Sequence, residues 1–376
     1  MVRVAVLGIT GYAALELLKL LLQHPEAEIC VLTDKEPDLP VESLHPVLAG
    51  CLEMSCERLE PAEIAERADF AFSTLPADVS SHFVPELLKA GCRVVDLRPD
   101  YRLADPKLFE HWYGKHEQSA PARVATAAYG LPEFWSERIR DSELVTNPSS
   151  FTLATVLGLV PLLKEGLVAL EGIVVDAKCG VSCAGRAPRM TTLFAECNET
   201  VSPFSVARLP QISEIEQVLK EAAGQAAQVV LTPHQVPMDR GVLCTIYAPL
   251  VREVEEEELL ATLQRFYSDK PFVRVVEHLP STKDTTGTNF CDVTVRKFRR
   301  QAIIMTCLDD LVKGAAGAAV QNFNLMAGFD ETLGLLPRRQ KAALRTQPTT
   351  QNSNDAPAAA NQNQNEKQQE DKADDE

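Results

Sequence analysis

Short β-branched runs alternate with helical patterns in roughly the first 150 residues of the chain. The run VRVAVLG comes first, the glycine turn ITGY follows, and AALELLKLLLQH then repeats its apolar positions with helical spacing as far as Pro25. The strand-like runs EICVLTD, ADFAFSTL and CRVVDL, with the helical stretch VPELLKAG before the last, continue the alternation. This order predicts an α/β domain built on a doubly wound parallel sheet.

The pattern changes from about Thr152. One long helix, TLATVLGLVPLLKEG, is followed by closely spaced strands, several of them alternating apolar and polar residues: GIVVDAKC, QVVLTP, GVLCTIYAPL, FVRVVE and FCDVTVRKF. Strands of this kind predict a mixed or antiparallel sheet in a second, α+β domain. The segment from 310 to 327 is rich in small residues, and it predicts a helix that returns to pack beside the first sheet.

The turn after the first strand has the spacing of a dinucleotide-binding loop. Gly8, Gly11 and Ala14 occupy the three small positions of G-x-x-G-x-x-[GA] between a strand and a helix. The first glycine permits a sharp turn, the second lets backbone N–H groups approach a pyrophosphate, and a small third residue lets helix and strand pack closely. We therefore expect a Rossmann-type domain whose pyrophosphate site is lined by Gly8, Thr10, Gly11 and Tyr12.

Two adjacent residues at the end of the second strand give opposing signals about the cofactor. Asp34 lies 20 positions after Ala14, where an acid binds a ribose 2′-hydroxyl and repels a 2′-phosphate. The neighbouring Lys35 would attract a 2′-phosphate. Both residues are expected at the adenosine ribose, and NADP and NAD both remain open as the cofactor.

Charge and composition exclude several classes of partner and site. The net charge of −16 argues against nucleic acid or an anionic membrane as a partner. The start of the chain does not have the pattern of a signal peptide, no apolar run approaches 18 residues, and the ten cysteines are scattered. These features predict free thiols in a reducing cytoplasm and no metal site. Residues 346–376 carry seven acids, two lysines and no large apolar residue, and they predict a disordered, acidic polar tail.

Several longer and more specific motifs lie between roughly residues 2 and 336. They are GITGY, HPVLAG, DLRPDYRL, YGLPE, DAKCGVSCAGR, SEIEQVL, TPHQVPMDRGVLCTIYA, TKDTTGTNFCDV and LVKGAAGAAVQNFNLMAGFDETLGL. In these motifs the chain resembles the N-acetyl-γ-glutamyl-phosphate reductases of arginine biosynthesis, which are related to aspartate-semialdehyde dehydrogenase. The resemblance implies NADPH-dependent reduction of an acyl phosphate to N-acetylglutamate semialdehyde.

The resemblance also implies a mechanism and an organisation of the chain. In such enzymes a cysteine thiolate displaces phosphate to form a thioester, hydride from the nicotinamide releases the aldehyde, and a nearby histidine handles protons. The implied architecture is a Rossmann domain joined to an α+β catalytic and dimerisation domain, in a homodimer or homotetramer. On this basis residues 1–149 with 310–345 are expected to bind the dinucleotide, and residues 150–309 are expected to serve catalysis and dimerisation.

The chain departs from this family at both catalytic motifs. The family motif N-P-G-C-Y-P-T reads NPSSFTL here, so Ser150 stands where the family has its cysteine. The family motif H-R-H-x-P-E-I-E aligns with LPQISEIE, so Gln211 stands near the family histidines. Smaller departures are Ala77-Asp78 for His-Gly, Arg98-Pro99 for Ser-Ala, and Asp310 for Asn.

Two interpretations of Ser150 remain open. Its position makes it a candidate catalytic residue, with Gln211 the candidate in the place of the proton-handling group. A serine hydroxyl needs an adjacent base to become nucleophilic, whereas a thiol with a pKa of about 8.5 is partly thiolate at neutral pH. The other interpretation is that Ser150 is the N-cap of the helix expected from about Thr152.

The loop DAKCGVSCAGR borders the nicotinamide and the reacting carbonyl in the enzymes that the chain resembles. Gly180 and Cys183 are therefore expected at the cofactor, and Cys179 or Cys183 is a candidate for a relocated nucleophile. Arg186 of the same loop and Arg102 are expected to bind the anionic substrate, with a structural ion pair as the alternative for Arg186.

Two functions follow from these residues. The first is a reductase of the arginine pathway whose catalysis is altered. The second is a catalytically impaired paralogue that keeps the fold for nucleotide binding, dimerisation or regulation of an active partner.

Overall fold

The computed structural model describes residues 1–114 and 127–336 of the chain. The predicted tail of residues 346–376 lies outside the described residues, as do the last residues of the segment predicted to end at 345. None of the helices in the described ranges has the length and apolar character that a membrane crossing requires.

A six-stranded parallel sheet is built from the first part of the chain. Its strands are β1 (Val2–Leu7), β2 (Ala27–Thr33), β3 (Phe70–Ser73), β4 (Arg93–Asp96), β5 (Ala128–Tyr129) and β6 (Leu144–Thr146). They lie in the order β2-β1-β3-β4-β6-β5. Residues 4–7 of β1 are wholly buried, as expected for a strand that is covered on both faces. The predicted Rossmann-type sheet is confirmed.

Helices follow the strands of this sheet. In the described residues they are α1 (Tyr12–Gln23), α2 (Val41–Leu44), α3 (Pro61–Arg67), α4 (Ala77–Lys89), α5 (Pro106–Tyr113) and α6 (Pro132–Arg140). The turn from β1 into α1 needs Gly8, whose φ of +83° lies in the left-handed region that favours glycine. Gly11 precedes α1 and supplies no side-chain cap, so the first N–H groups of the helix stay available to a ligand.

A seven-stranded mixed sheet forms the second part of the fold and confirms the predicted architecture. Its strands are β7 (Ile173–Cys179), β8 (Ser202–Pro203), β9 (Val229–Gln235), β10 (Val242–Pro249), β11 (Val273–Val275), β12 (Cys291–Phe298) and β13 (Gln301–Leu308). They lie in the order β11-β12-β13-β10-β7-β9-β8, and β7–β9 and β11–β12 are parallel pairs. Burial alternates along β7 and β10, so one face of the sheet is packed and the other is open.

The packed face of this sheet is covered by helices around one central helix. The helices that pack on this face are α7 (Ser150–Lys164), α9 (Gln211–Ala223) and α10 (Glu256–Phe266), and the short helices α8 (Phe194–Cys197) and α11 (Thr282–Thr285) lie in connections between strands. Every residue from Phe151 to Leu163 is buried, so α7 is apolar on all sides, as expected for a helix enclosed by other elements.

The chain returns to the first sheet after β13. Residues 310–327 were predicted as one helix, and the structure instead has a π-helical turn (Val312–Ala316) followed by α12 (Gly317–Met326). The side chain of Phe323 packs edge-on against Phe70 of β3, with ring centroids 5.1 Å apart. The last helix therefore contributes to the core of the first sheet.

Candidate active site

A first cavity of about 480 Å³ lies at the carboxyl ends of β1 and β2. This is the usual position for a ligand of a doubly wound sheet. Among the residues predicted to contact the cofactor, those lining the cavity are Gly8, Thr10, Gly11, Tyr12, Asp34, Lys35 and Cys183.

Gly180 does not line this cavity. A Cβ atom at this position would lie 2.5 Å from the carbonyl oxygen of Asp239 and 2.7 Å from the backbone of Arg240. Glycine is needed at position 180 because the two backbone segments approach each other closely.

The carboxylate of Asp34 closes the glycine turn. Thr10 donates its N–H (2.9 Å) and its hydroxyl (2.5 Å) to Asp34 Oδ2, and the N–H of Lys35 donates to Oδ1 (2.7 Å). The acid therefore ties the turn to the end of β2. Lys35 makes no ion pair with any described residue, so its charge is directed to solvent and to the cavity that it lines.

Arg186 lies at the first cavity and forms hydrogen bonds with backbone carbonyl groups. Its guanidinium donates to the carbonyl oxygens of Thr10 (3.0 Å) and Leu44 (2.9 Å), and Nη1 lies 3.3 Å from His45 Nδ1. Burial lowers the pKa of His45, and Arg186 lowers it further, against the hydrogen bond to the carbonyl of Ile9. A neutral His45 protonated on Nε2 satisfies both contacts, since Nε2 donates to Ile9 (2.6 Å) and Nδ1 accepts from Arg186.

Ser150 is the first residue of α7, and the helix begins two residues earlier than predicted. The cap is the neighbouring Ser149, whose extended backbone (φ −74°, ψ 151°) lets its hydroxyl accept from the N–H of Thr152 at 3.3 Å. The interpretation of Ser150 as the N-cap is therefore wrong. The hydroxyl of Ser150 has no hydrogen-bond partner among the described residues and lines a second cavity of about 360 Å³.

The second cavity joins the first through Ala13, Leu97, Arg98 and Cys183, which line both. Arg98 makes no ion pair within the described ranges, and its side chain is exposed at this junction. Histidine is absent from the described lining of the second cavity. Gln211, the residue predicted near the histidine positions of the family motif, lines the cavity, and its Oε1 is buried without a hydrogen-bond partner among the described residues.

Arg102 and Glu214 hold the loop that precedes Ser150. Arg102 donates to the carbonyl oxygens of Asn147 (2.8 Å) and Leu97 (2.9 Å), and its Nη1 lies 3.8 Å from Glu214 Oε2. Glu214 is 3% exposed and accepts from the N–H of Ser149 (3.0 Å) and from the hydroxyl of Tyr129. Glu214 was not predicted as a site residue, although its place three positions after Gln211 in the aligned motif was a usable signal.

The π-helical turn lies directly against Ser150. A Cβ atom at Gly314 would stand 2.7 Å from Ser150 Cβ, so only glycine permits this contact. The neighbouring Lys313 is fully buried and forms an ion pair with the equally buried Glu133 (2.6 Å) and a hydrogen bond with Gln321 (2.8 Å). π-helical turns are frequent at functional sites, and this one forms part of a wall of the Ser150 cavity.

The two cysteines proposed as relocated nucleophiles differ in accessibility. Cys179 is 1% exposed and belongs to the core beneath the second sheet. Cys183 is half-buried and lines both cavities. Its hydrogen bond with Cys179, its burial and the nearby carboxylate of Asp310 raise the pKa of the Cys183 thiol well above its usual value, which disfavours the thiolate.

Comparison with known proteins gives the family. Residues 3–142 match the model of the semialdehyde dehydrogenase NAD binding domain, and residues 151–310 match that of the semialdehyde dehydrogenase dimerisation domain. Solved structures with a similar fold include aspartate semialdehyde dehydrogenase II complexed with ASA from Vibrio cholerae (TM-score 0.66, 15% identity, 87% of this chain and 98% of that one). Another is aspartate semialdehyde dehydrogenase with NADP from Candida albicans (TM-score 0.67, 16% identity, 87% and 98%).

Curated relatives are closer in sequence. The N-acetyl-gamma-glutamyl-phosphate reductase of Rhodopirellula baltica is 42% identical over 341 residues, which is 89% of this chain and 98% of the relative. That of Geotalea daltonii is 43% identical over the same shares. Similarity at this level along the whole of both described parts of the fold means that the chain belongs to the N-acetyl-gamma-glutamyl-phosphate reductase family of oxidoreductases.

Proposed function

We propose that the protein binds NADP in the first cavity and N-acetylglutamyl phosphate, or the corresponding semialdehyde, in the second, with Ser150 at the position of the family nucleophile. The observation that carries the proposal is the place of Ser150. It stands at the first turn of α7 and lines a cavity that adjoins the predicted dinucleotide cavity through Arg98 and Cys183.

The residues of the first cavity fit a dinucleotide phosphate. A Cβ atom built on Gly11 meets nothing within 4 Å, so space is open in front of the uncapped start of α1. Backbone N–H groups at a helix N-terminus bind phosphate readily. Lys35 supplies positive charge for a 2′-phosphate, and Asp34 is partly satisfied by Thr10. The reduced cofactor, NADPH, would when bound supply the hydride that reduces the carbonyl carbon of the substrate.

The residues around Ser150 position a substrate but do not activate a nucleophile. Glu214 fixes the N–H of Ser149, and α7 directs its N-terminus to the cavity, where it stabilises negative charge. Arg98 is placed to bind the phosphate of the substrate. Ser150, however, lacks the acidity of a thiol, and no histidine or carboxylate lines its cavity among the residues that the structure describes. General acid–base catalysis contributes about 10²- to 10⁴-fold in rate, so we expect slow turnover.

The test is a phosphate-dependent assay of NADP⁺ reduction with N-acetylglutamate semialdehyde. We expect wild type to be slow, Ser150→Cys to be faster, and Ser150→Cys with Gln211→His to gain up to about 10²- to 10⁴-fold more. Ser142→Cys, a thiol added at a residue that lines neither cavity, is the matched control and should match wild type. Full wild-type activity that survives Cys179→Ser and Cys183→Ser but is lost in Ser150→Ala would contradict the proposal.

The absence of both catalytic side chains favours a second candidate function. A protein that binds dinucleotide and substrate without thioester chemistry would serve as a regulatory or dimerisation partner of an active homologue. Calorimetric binding of NADP together with no turnover in Ser150→Cys, Gln211→His would favour this candidate over the reductase.

We further propose a homodimer formed through the open face of the second sheet. The matched dimerisation domain contains this sheet. Val230, Val174, Tyr247 and Ile303 lie opposite one another in register on four neighbouring strands, and the first three are 59%, 38% and 39% exposed. An apolar row of this kind on an open sheet face is typical of an interface. The ten free cysteines favour a reducing cytoplasm for the assembly.

A further inference from the structure

A third cavity of about 480 Å³ adjoins the Ser150 cavity. Phe151, Cys183 and Gln211 line both, whereas only Cys183 is shared with the dinucleotide cavity. The three cavities therefore follow one another in the order dinucleotide, Ser150, third. A substrate whose reacting carbon lies at Ser150 and next to the dinucleotide can therefore extend its remaining atoms into the third cavity.

The walls of the third cavity carry one formal charge. Among the described residues that line it, every side chain is neutral except that of Arg189. Arg189 forms no ion pair with any residue in the described ranges. Arg189 is exposed, and its guanidinium is free to bind a carboxylate, to which it offers two parallel donors.

The backbone of Arg189 is held in place by its own turn. The N–H of Arg189 donates to Thr192 Oγ1 (3.1 Å), and both the N–H and the hydroxyl of Thr192 donate to the carbonyl of Arg189 (3.0 and 3.1 Å). Gln235 of β9 donates its amide to the carbonyl of Thr191 (3.0 Å). The turn is thus attached to the sheet, and the arginine starts from a fixed point at the cavity.

We propose that Arg189 binds the α-carboxylate of the N-acylated acidic amino acid while its side-chain acyl group lies at Ser150, an assignment that rests on the proposed function. Gln211 Oε1, the buried acceptor on the wall between the two cavities, accepts the N–H of the acylated amine. The acyl phosphate and the α-carboxylate are then bound at opposite ends, by Arg98 and Arg189. Arg189 selects substrates that carry a carboxylate on the α-carbon.

The test compares two stable ligands by calorimetry on the NADP⁺-loaded protein. N-acetyl-L-glutamate carries the α-carboxylate, and 4-acetamidobutyrate is the same molecule without it. We expect Arg189→Met to weaken binding of N-acetyl-L-glutamate roughly 10- to 100-fold, the loss of a charged hydrogen-bonded pair, and to leave 4-acetamidobutyrate unchanged. Arg189→Lys should restore part of the loss. Arg208→Met is the matched control. Like Arg189, Arg208 is exposed and lies between β7 and α9, but it lines none of the three cavities.

Each outcome is distinct. Equal binding of N-acetyl-L-glutamate by wild type and Arg189→Met would overturn the role of Arg189 and leave the proposed function intact. Equal weakening of both ligands in Arg189→Met would assign the residue a structural role and overturn the proposal as well. If wild type bound neither ligand, the proposed function would fail together with the subsite.

Discussion

Asp310 is nearly buried at the edge of the active site, where its carboxylate accepts from Ser182 Oγ (2.7 Å) and from the N–H of Gly241 (2.5 Å). Burial raises the pKa of this carboxyl above its ordinary value, against those two hydrogen bonds. The folded state therefore binds the proton more tightly than the unfolded state. The stability from this group is complete at low pH and is lost as pH rises through the folded pKa.

Asp310→Asn should consequently gain stability relative to wild type as pH rises from about 4 to 7. The measurement is the urea midpoint of both proteins across that range. Asp330→Asn is a control of opposite sign, measured separately below about pH 4, because the hydrogen bonds from Thr332 lower the pKa of Asp330 and its contribution to stability is lost only as pH falls below the ordinary pKa of an aspartate. A constant difference between wild type and Asp310→Asn at every pH would contradict the argument.

Cys183 provides a second prediction at the residue scale. Its raised pKa leaves little thiolate at neutral pH, so iodoacetamide should modify Cys183 at least roughly tenfold more slowly than the exposed Cys51, at about pH 7.5. Peptide mapping by mass spectrometry gives both rates. Asp310→Asn removes a nearby negative charge and should speed the labelling of Cys183. Preferential labelling of Cys183 in wild type would instead support a relocated nucleophile.

Single residues show where sequence was sufficient and where it was not. The alignment with the family motifs predicted Ser150 and Gln211 as site residues, because each motif keeps its spacing in this chain. Both residues line the second cavity. It could not decide which of two adjacent serines caps α7, since that depends on the backbone angles of Ser149. The backbone contacts of Arg102 and Arg186 were equally invisible, because they involve carbonyl groups, which every residue carries.

The π-helical turn is the element that most directly shapes the site. We predict that Gly314→Ala destabilises the protein, because the new Cβ overpacks against Ser150 at a cost of about 1–3 kcal/mol. The higher helix propensity of alanine offsets roughly 1 kcal/mol of that cost. Ser150→Gly removes the opposing Cβ, so the double variant should recover stability, with a coupling energy of about 0.5–3 kcal/mol. Urea unfolding of the four proteins measures the cycle, and strictly additive effects would refute the contact.

Helices and strands could be predicted from sequence where a single periodicity of apolar residues runs through the whole element. The strands β7 and β10 alternate buried and accessible residues almost without exception, so sequence located them well. The π turn was missed because a run of small residues fits an α-helix equally well. What distinguishes it is the buried ion pair between Lys313 and Glu133, which are 180 residues apart.

At the scale of the whole molecule, the proposed dimer gives a prediction. Tyr247→Asp places a charge in the middle of the apolar row on the open sheet face, and we expect it to shift the protein from dimer to monomer. Light scattering coupled to size-exclusion chromatography gives the mass. Leu22→Asp, a similarly exposed leucine on α1, is the control that should remain dimeric. A dimeric Tyr247→Asp would place the interface elsewhere.

The arrangement of the three cavities could not be predicted from sequence, although the fold class could. The fold class follows from the order of strands and helices along the chain. The cavities instead bring together Ala13, Arg98, Ser150, Cys183 and Gln211. Those distances are set by the packing of the second sheet and the π turn around α7.

The return of α12 to the first sheet has a consequence for the protein during its synthesis. Phe70 and Phe72 of β3 are covered by Phe323, so the ribosome must add about 180 residues after β6 before that surface can be closed. At about 5–20 residues per second, this interval is on the order of 10 s or longer. For that time the nascent chain exposes an aromatic surface while the second sheet is being made. Chaperones that hold such surfaces apart are therefore expected to determine the yield of this protein in the cell.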